Sequence, residues 1–94
     1  MLTPAMGVRM LELFEHVEDD DATRMLALTG AGSAFCIGFD PAVDPRLVES
    51  LAVLSKPTVA IVNGDAIDEG LELAMAADIR VAISSSRFAI THVR

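Results

Sequence analysis

The sequence contains no Trp or Tyr, one Cys and one Lys, and each shortage narrows what the chain can be. The lone Cys36 cannot form an internal disulfide, which favours a reducing, cytoplasmic setting. Acidic residues outnumber basic ones by 14 to 7, and no basic run is present to bind nucleic acid or an anionic membrane. No apolar run reaches the roughly 20 residues of a membrane span, and the first residues lack the basic-then-apolar pattern of a secretion signal.

Apolar residues nevertheless make up 52% of the 94-residue chain, which is enough for a packed core. This length predicts one domain at most, covering residues 1–94. A chain this short buries only a modest part of its surface. We therefore expect some apolar faces to need a partner subunit or further sequence, and the chain alone to be marginally stable or to self-associate.

Three helices are predicted from capping signals and apolar stripes. The first begins at Thr3-Pro4, with Thr as N-cap and Pro at the first helical position. Asp44-Pro45 repeats this signal before a second amphipathic helix. The third is expected over about residues 69–77, so that Asp68 and Glu69 lie near its positive end.

Short apolar or β-branched runs predict strands near residues 24–28, 58–62 and 79–83, with a further short one over 87–90. Helices and strands alternate along the chain. This order indicates parallel strands joined by crossover helices.

Two segments, residues 28–40 and 56–79, share one layout. In each, an apolar strand-like run ends in a glycine-containing turn that exposes backbone amides, and an acidic residue follows closely. Two such turns brought together could hold one negatively charged oxygen between two amides. This is the equipment for stabilising an enolate or a tetrahedral oxyanion.

These segments resemble the crotonase superfamily, also called the enoyl-CoA hydratase/isomerase family. The first hallmark is similar to residues 28–40, with their Gly-Ser-Ala-Phe-Cys-Ile-Gly-Phe-Asp core. The second resembles Lys56-Pro57 through Asn63-Gly64, then Glu72-Leu73-Ala74 and Ala77-Asp78-Ile79-Arg80. The resemblance covers roughly residues 22–94. Because family members are much longer, we expect a truncated member.

The resemblance implies an α/β fold, a partial spiral of the Clp-protease/crotonase type built from strand-strand-helix units with parallel strands. It also implies a homo-oligomer, a trimer or hexamer, for a full-length chain. The implied partner is an acyl-CoA thioester. No metal and no separate cofactor are expected, because coenzyme A is part of the substrate.

The resemblance places the family's two oxyanion-hole amides at Phe39 and Glu69 and its two catalytic glutamates at Glu72 and His92. It further implies substrate contacts from the two hallmark turns at Ala34, Cys36, Gly38, Gly64 and Gly70. Several positions depart from the family pattern. Glycines usually stand where this chain has Asp68 and Glu69, His92 replaces a glutamate, and Pro41 follows Asp40 where a lysine that contacts coenzyme A is common.

The first functional hypothesis is an enoyl-CoA hydratase or isomerase. The amides of Phe39 and Glu69 would hold the thioester oxygen, and Glu72 would direct water or a proton to the adjacent carbons. The second is a catalytically inactive fragment or pseudoenzyme that binds acyl-CoA or a partner chain. It is favoured by the missing lysine, the His92 replacement and the short length. A third is a serine hydrolase of the Clp-protease type, built on Ser84-Ser85-Ser86 and His92, but no Gly-x-Ser-x-Gly elbow supports it.

A structural interpretation of the same residues also stays open. Asp68 and Glu69 would then only cap the third helix and complement its dipole, and Glu72 would be an exposed helix residue. Cys36 would be a small buried side chain.

Overall fold

The computed structural model describes residues 1–91 of the chain. Three helices and five strands follow one another in these residues: α1 (Pro4–Asp19), β1 (Leu26–Thr29), α2 (Leu47–Ala52), β2 (Thr58–Val62), β3 (Ala66–Ile67), α3 (Glu69–Ala76), β4 (Ile79–Ala82) and β5 (Phe88–Ala89). All the helices and strands predicted from the sequence are present. The two-residue strand β3 was not predicted.

Helix α1 begins where its capping signal predicts. The Thr3 hydroxyl accepts a hydrogen bond from the Met6 amide at 3.2 Å, and Pro4 opens the helix. The predicted start of α2 at Asp44-Pro45 is wrong, because the helix begins at Leu47. The Asp44 carboxylate instead closes the preceding turn by accepting from the Arg46 amide at 2.9 Å.

Every pair of strands in residues 1–91 is parallel. β2 lies between β1 and β4, with Leu26 opposite Thr58 and Ala60 opposite Arg80. β3 pairs with β5 in a second, smaller sheet. Cys36 extends that second sheet through a parallel bridge to Ala66.

Three successive stretches of chain therefore repeat one path. β1 leads to the bridge at Cys36 and then to α2, β2 leads to β3 and α3, and β4 leads to β5. Each stretch adds one strand to the three-stranded sheet, and to the smaller sheet it adds either a strand or, at Cys36, a single bridge residue. The predicted α/β spiral of strand-strand-helix units with parallel strands is confirmed.

The core has two parts with different side chains. Large residues from the helices, including Phe14, Leu47, Leu51 and Leu73, form one cluster. Small residues from β2, β3, α3 and the C-cap of α3 dominate the other: Ala60, Val62, Ala66, Ala74 and Ala77. Their short side chains let α3 pack closely against β3, which keeps the helix N-terminus at the end of the second sheet.

One face of the three-stranded sheet remains apolar and exposed in the described chain. Ile61 lies opposite Val81, and both point to the same face as Ile79. All three are exposed. This face fits the prediction that some apolar surface needs a partner, which stays a prediction.

Candidate functional site

The two hallmark segments meet where the second sheet joins the start of α3. The Ile67 amide donates to the Cys36 carbonyl oxygen at 2.9 Å, and the amides of Phe35 and Cys36 both donate to the Asp65 carbonyl oxygen. A Cβ atom at Gly70 would come within 1.9 Å of the Cys36 carbonyl oxygen. Glycine at this position therefore allows the first turn of α3 to pack on the backbone of the first hallmark.

The Phe39 amide points toward the first residue of α3. Gly38 has a φ of 129°, a conformation that residues with a side chain rarely adopt. The next amide, Phe39 N–H, donates to the Glu69 carboxylate Oε1 at 3.0 Å. The two residues predicted to form an oxyanion hole are thus neighbours. The carboxylate orientation was not predicted: Glu69 points at the Phe39 amide.

Asp68 turns the chain into α3 in a strained conformation, with φ 54° and ψ −120°. Such a conformation costs a non-glycine residue on the order of 1–3 kcal/mol. The structural interpretation expected Asp68 to cap α3, but its side chain makes no capping hydrogen bond to the helix. It accepts instead from the Thr91 amide at 2.5 Å and the Thr91 hydroxyl at 2.6 Å. The Asp68 amide donates to the Ala89 carbonyl oxygen, so Asp68 joins α3 to the end of β5.

Of the two predicted catalytic residues, only Glu72 lies within the described part of the chain. Glu72 lies on α3, one helical turn after Glu69, and is exposed. Its amide donates to the Asp68 carbonyl oxygen at 3.1 Å, as in a regular first turn. His92 lies outside the described residues. The catalytic roles of Glu72 and His92 stay predictions.

Ala34 and Cys36, two predicted substrate contacts, line a cavity of about 400 Å³. Its other walls are the glycine-rich turn after β1 and apolar side chains that include Met6, Met10 and Leu73. Burial raises the pKa of the Cys36 thiol, which donates a weak hydrogen bond to the Gly38 carbonyl oxygen at 3.5 Å. The thiol is therefore more of a packing group than a nucleophile.

The other predicted substrate contacts, all glycines, are buried backbone positions. Gly38 and Gly70 lie on either side of the Phe39–Glu69 contact. Gly64 packs against the first hallmark, where a Cβ would come within 1.9 Å of the Ser33 carbonyl oxygen. This contact gives Gly64 a structural role whether or not a substrate touches it.

Asn63 organises the glycine-rich turn, a role that the sequence did not suggest. Its side-chain Oδ1 accepts from the Gly30 amide at 2.9 Å, and its Nδ2 donates to the Gly32 carbonyl oxygen at 2.8 Å. The sequence analysis identified Asn63 only as part of the second hallmark. Its bonds depend on the parallel pairing of β1 and β2, which a local pattern does not specify.

Asp78 supports the strands rather than the site. Its carboxylate accepts from the Thr58 amide at 2.9 Å, and its own amide donates to the Thr58 hydroxyl at 3.0 Å. These bonds connect the starts of β2 and β4. Lys56 is also structural, since its ammonium group donates to the Asp20 carbonyl oxygen.

Residues 1–91 contain neither a metal-binding cluster nor a membrane-spanning helix. No group of three His, Cys, Asp or Glu side chains in this part of the chain is arranged to hold a metal ion. None of the helices in it has the length and apolarity needed to cross a membrane.

The family model described as enoyl-CoA hydratase/isomerase matches residues 1–94. Among relatives, a protein named probable enoyl-CoA hydratase 1, peroxisomal, from Arabidopsis thaliana is 36% identical over 99% of this chain and 40% of its own length. The 1,2-epoxyphenylacetyl-CoA isomerase of Escherichia coli is 38% identical over 88% of this chain and 39% of its own.

Solved structures give the same result. An enoyl-CoA hydratase/isomerase family protein from Silicibacter pomeroyi superimposes with a TM-score of 0.83 and 30% identity, over 94% of this chain and 43% of its own. An enoyl-CoA hydratase from Bacillus anthracis gives a TM-score of 0.82 with 27% identity, over 93% of this chain and 40% of its own. The chain thus spans about 40% of the length of the relatives that it matches.

Proposed function

Because the chain belongs to the enoyl-CoA hydratase/isomerase family, we propose that it contributes to the hydration or isomerisation of an acyl-CoA thioester. The single observation that carries this proposal is the Phe39 N–H bound to an anionic oxygen beside the first turn of α3. An enolate is also an anionic oxygen. An amide aimed at that position stabilises the charge that develops when a thioester is activated.

In the proposed mechanism, the backbone amides of Phe39 and Glu69 hold the thioester oxygen. The N-terminal end of α3 adds its positive dipole to that site. Glu72, one turn further along the helix, delivers a proton or orients a water toward the carbons next to the thioester. Its exposure gives a substrate access to the carboxylate. His92 is the second candidate acid or base, since imidazole titrates near neutral pH.

The cavity beside the first hallmark supports binding of the apolar parts of the substrate. Ala34 and Cys36 contribute to its wall, and Met6 and Met10 add flexible apolar side chains. We propose no metal and no cofactor apart from the coenzyme A of the thioester. We further propose a cytoplasmic location and, for a longer chain, a trimeric or hexameric assembly.

A second function, an inactive acyl-CoA-binding pseudoenzyme, is favoured by the same contact. The oxygen bound to the Phe39 amide belongs to the protein itself, at Glu69. A carboxylate in this place opposes a second negative charge beside it. A chain that keeps the fold but not the chemistry could carry such a residue without a penalty in function.

Crotonyl-CoA separates the two functions, with binding measured by titration calorimetry and hydration by the loss of enoyl absorbance. Binding with hydration supports the enzyme, whereas binding without hydration identifies the pseudoenzyme. Failure to bind would contradict both. Glu72→Gln tests the proposed acid–base role, and its matched control is Glu49→Gln, which removes an equal charge from an exposed position on α2.

A further inference from the structure

We propose that the Glu69 carboxylate is an internal blocker of the thioester-oxygen position, so that an acyl-CoA binds the Phe39 amide only after this side chain is displaced. The inference rests on the proposed function, because it assigns the Phe39 amide to a thioester oxygen. It goes beyond that function by making Glu69 a residue that sets the affinity of the site through its side chain. In the proposed mechanism only the Glu69 backbone takes part.

The Glu69 carboxylate oxygen and a thioester oxygen would compete for the same position at the Phe39 N–H. Glu69 Oε1 lies 3.0 Å from the Phe39 nitrogen, a normal hydrogen-bond distance. A thioester oxygen bound to the same N–H needs the same position. The carboxylate also binds this N–H more strongly, since a charged acceptor makes a shorter and stronger hydrogen bond than a neutral carbonyl.

The backbone on both sides fixes the contact. Gly70 packs on the Cys36 carbonyl, which sets the position of the first turn of α3. Gly38 directs the Phe39 N–H toward that turn, and a Cβ on Gly38 would lie 3.6 Å from Glu69 Oε1. The carboxylate therefore lies directly over the Gly38 backbone. Displacing it requires the Glu69 carboxylate to move away from the Phe39 N–H.

The affinity for acyl-CoA should consequently increase when the side chain is shortened. A hydrogen bond to a charged group is strong enough that its loss changes an equilibrium about tenfold or more. We expect Glu69→Ala to bind crotonyl-CoA at least about tenfold more tightly than the wild type. Glu69→Gln keeps an acceptor oxygen of the same size without the charge, and its affinity should be intermediate.

The Phe39 amide itself provides a test that needs no substrate. In an amide NMR spectrum of the whole chain, Glu69→Ala should shift the Phe39 proton resonance upfield and accelerate its hydrogen exchange at least tenfold, because the amide loses its acceptor. The exposed Glu49→Ala is the matched control and should leave this resonance in place. Glu69→Gln replaces the charged acceptor with a weaker neutral one, so it should shift the Phe39 resonance in the same direction by a smaller amount, and it provides a second variant should Glu69→Ala fail to fold.

The combined outcomes separate this inference from the proposed function. An unchanged Phe39 amide in both Glu69 variants would overturn the blocking contact, whatever the substrate does. A changed amide together with unchanged crotonyl-CoA affinity would overturn the role of Glu69 as a blocker. A changed amide in a chain that binds no crotonyl-CoA in any variant would sustain the contact and overturn the acyl-CoA function. Tighter binding by Glu69→Ala, with the shifted amide, supports both.

Discussion

Gly70 lies so close to Cys36 that a Cβ atom on it would come within 1.9 Å of the Cys36 carbonyl oxygen. This contact joins α3 to the first hallmark and so sets the position of Glu69 relative to Phe39. We predict that Gly70→Ala destabilises the fold by about 3 kcal/mol or more, because backbone must move to admit the methyl group. Urea unfolding followed by circular dichroism measures the change.

Gly32→Ala is the matched control for this substitution. A Cβ on Gly32 has no atom within 4 Å, and its φ is not in the left-handed region. We expect its free energy of unfolding to stay within about 1 kcal/mol of the wild type. Equal unfolding midpoints for the two variants would show that α3 does not depend on close approach at Gly70.

Asp68 allows a separate test of backbone strain. Asp68→Ala and Asp68→Gly both remove the carboxylate that binds Thr91, but only alanine must adopt the φ of 54°. We predict that the glycine variant is the more stable of the two by about 1 kcal/mol. Relief of left-handed strain, about 1–2 kcal/mol, exceeds the extra freedom of glycine in the unfolded chain. Thermal unfolding compares them, and a more stable alanine variant would contradict the strained turn.

We expect the ionised Asp44 carboxylate to stabilise the fold, and this stabilisation to be lost in acid. Hydrogen bonds from the Arg46 side chain and amide lower the pKa of the Asp44 carboxyl from 3.8 to about 2. Since the folded state favours the charged form, its contribution to stability is fully present above about pH 4. That contribution is lost as the pH falls toward 2. NMR titration of the Asp44 side-chain carbonyl measures this pKa directly.

Arg46→Met should raise the pKa of Asp44 toward its ordinary value while keeping the backbone hydrogen bond. Arg9→Met is the control, because Arg9 pairs with Glu12 on the exposed side of α1. An Asp44 titration that is the same in all three proteins would exclude the ion pair as the cause.

Local signals in the sequence were sufficient for much of the fold. The capping pair at Thr3-Pro4 and the β-branched run of β2 specify their elements within a few residues, and both were predicted at the observed positions. Strand β1 begins at Leu26 rather than at residue 24, since pairing with β2 sets its start. Strand β3 has two residues and no periodicity, so only its pairing with β5 defines it.

In the candidate site too, some features could be predicted from the sequence and others depend on tertiary structure. The Phe39 and Glu69 segments, which the family resemblance assigns to one oxyanion hole, lie in contact, whereas the oxyanion hole itself stays a prediction. The direction of the Glu69 carboxylate was not predictable, because it depends on the positive φ of Gly38 and the packing of Gly70, both of which are tertiary features. The same holds for the Asp68 carboxylate. Its partner Thr91 is distant in sequence and is brought near by β5.

We propose that this chain carries an acyl-CoA site in which Glu72 performs the acid–base step. Turnover of crotonyl-CoA by Glu72→Gln tests this role most directly. We predict a loss of roughly 10²–10⁴-fold in turnover with little change in substrate affinity, because the amide retains the size of the side chain but cannot transfer the proton. Glu49→Gln should keep wild-type turnover. Wild-type turnover by Glu72→Gln, together with its abolition in His92→Ala, would contradict the account and assign the chemistry to the histidine.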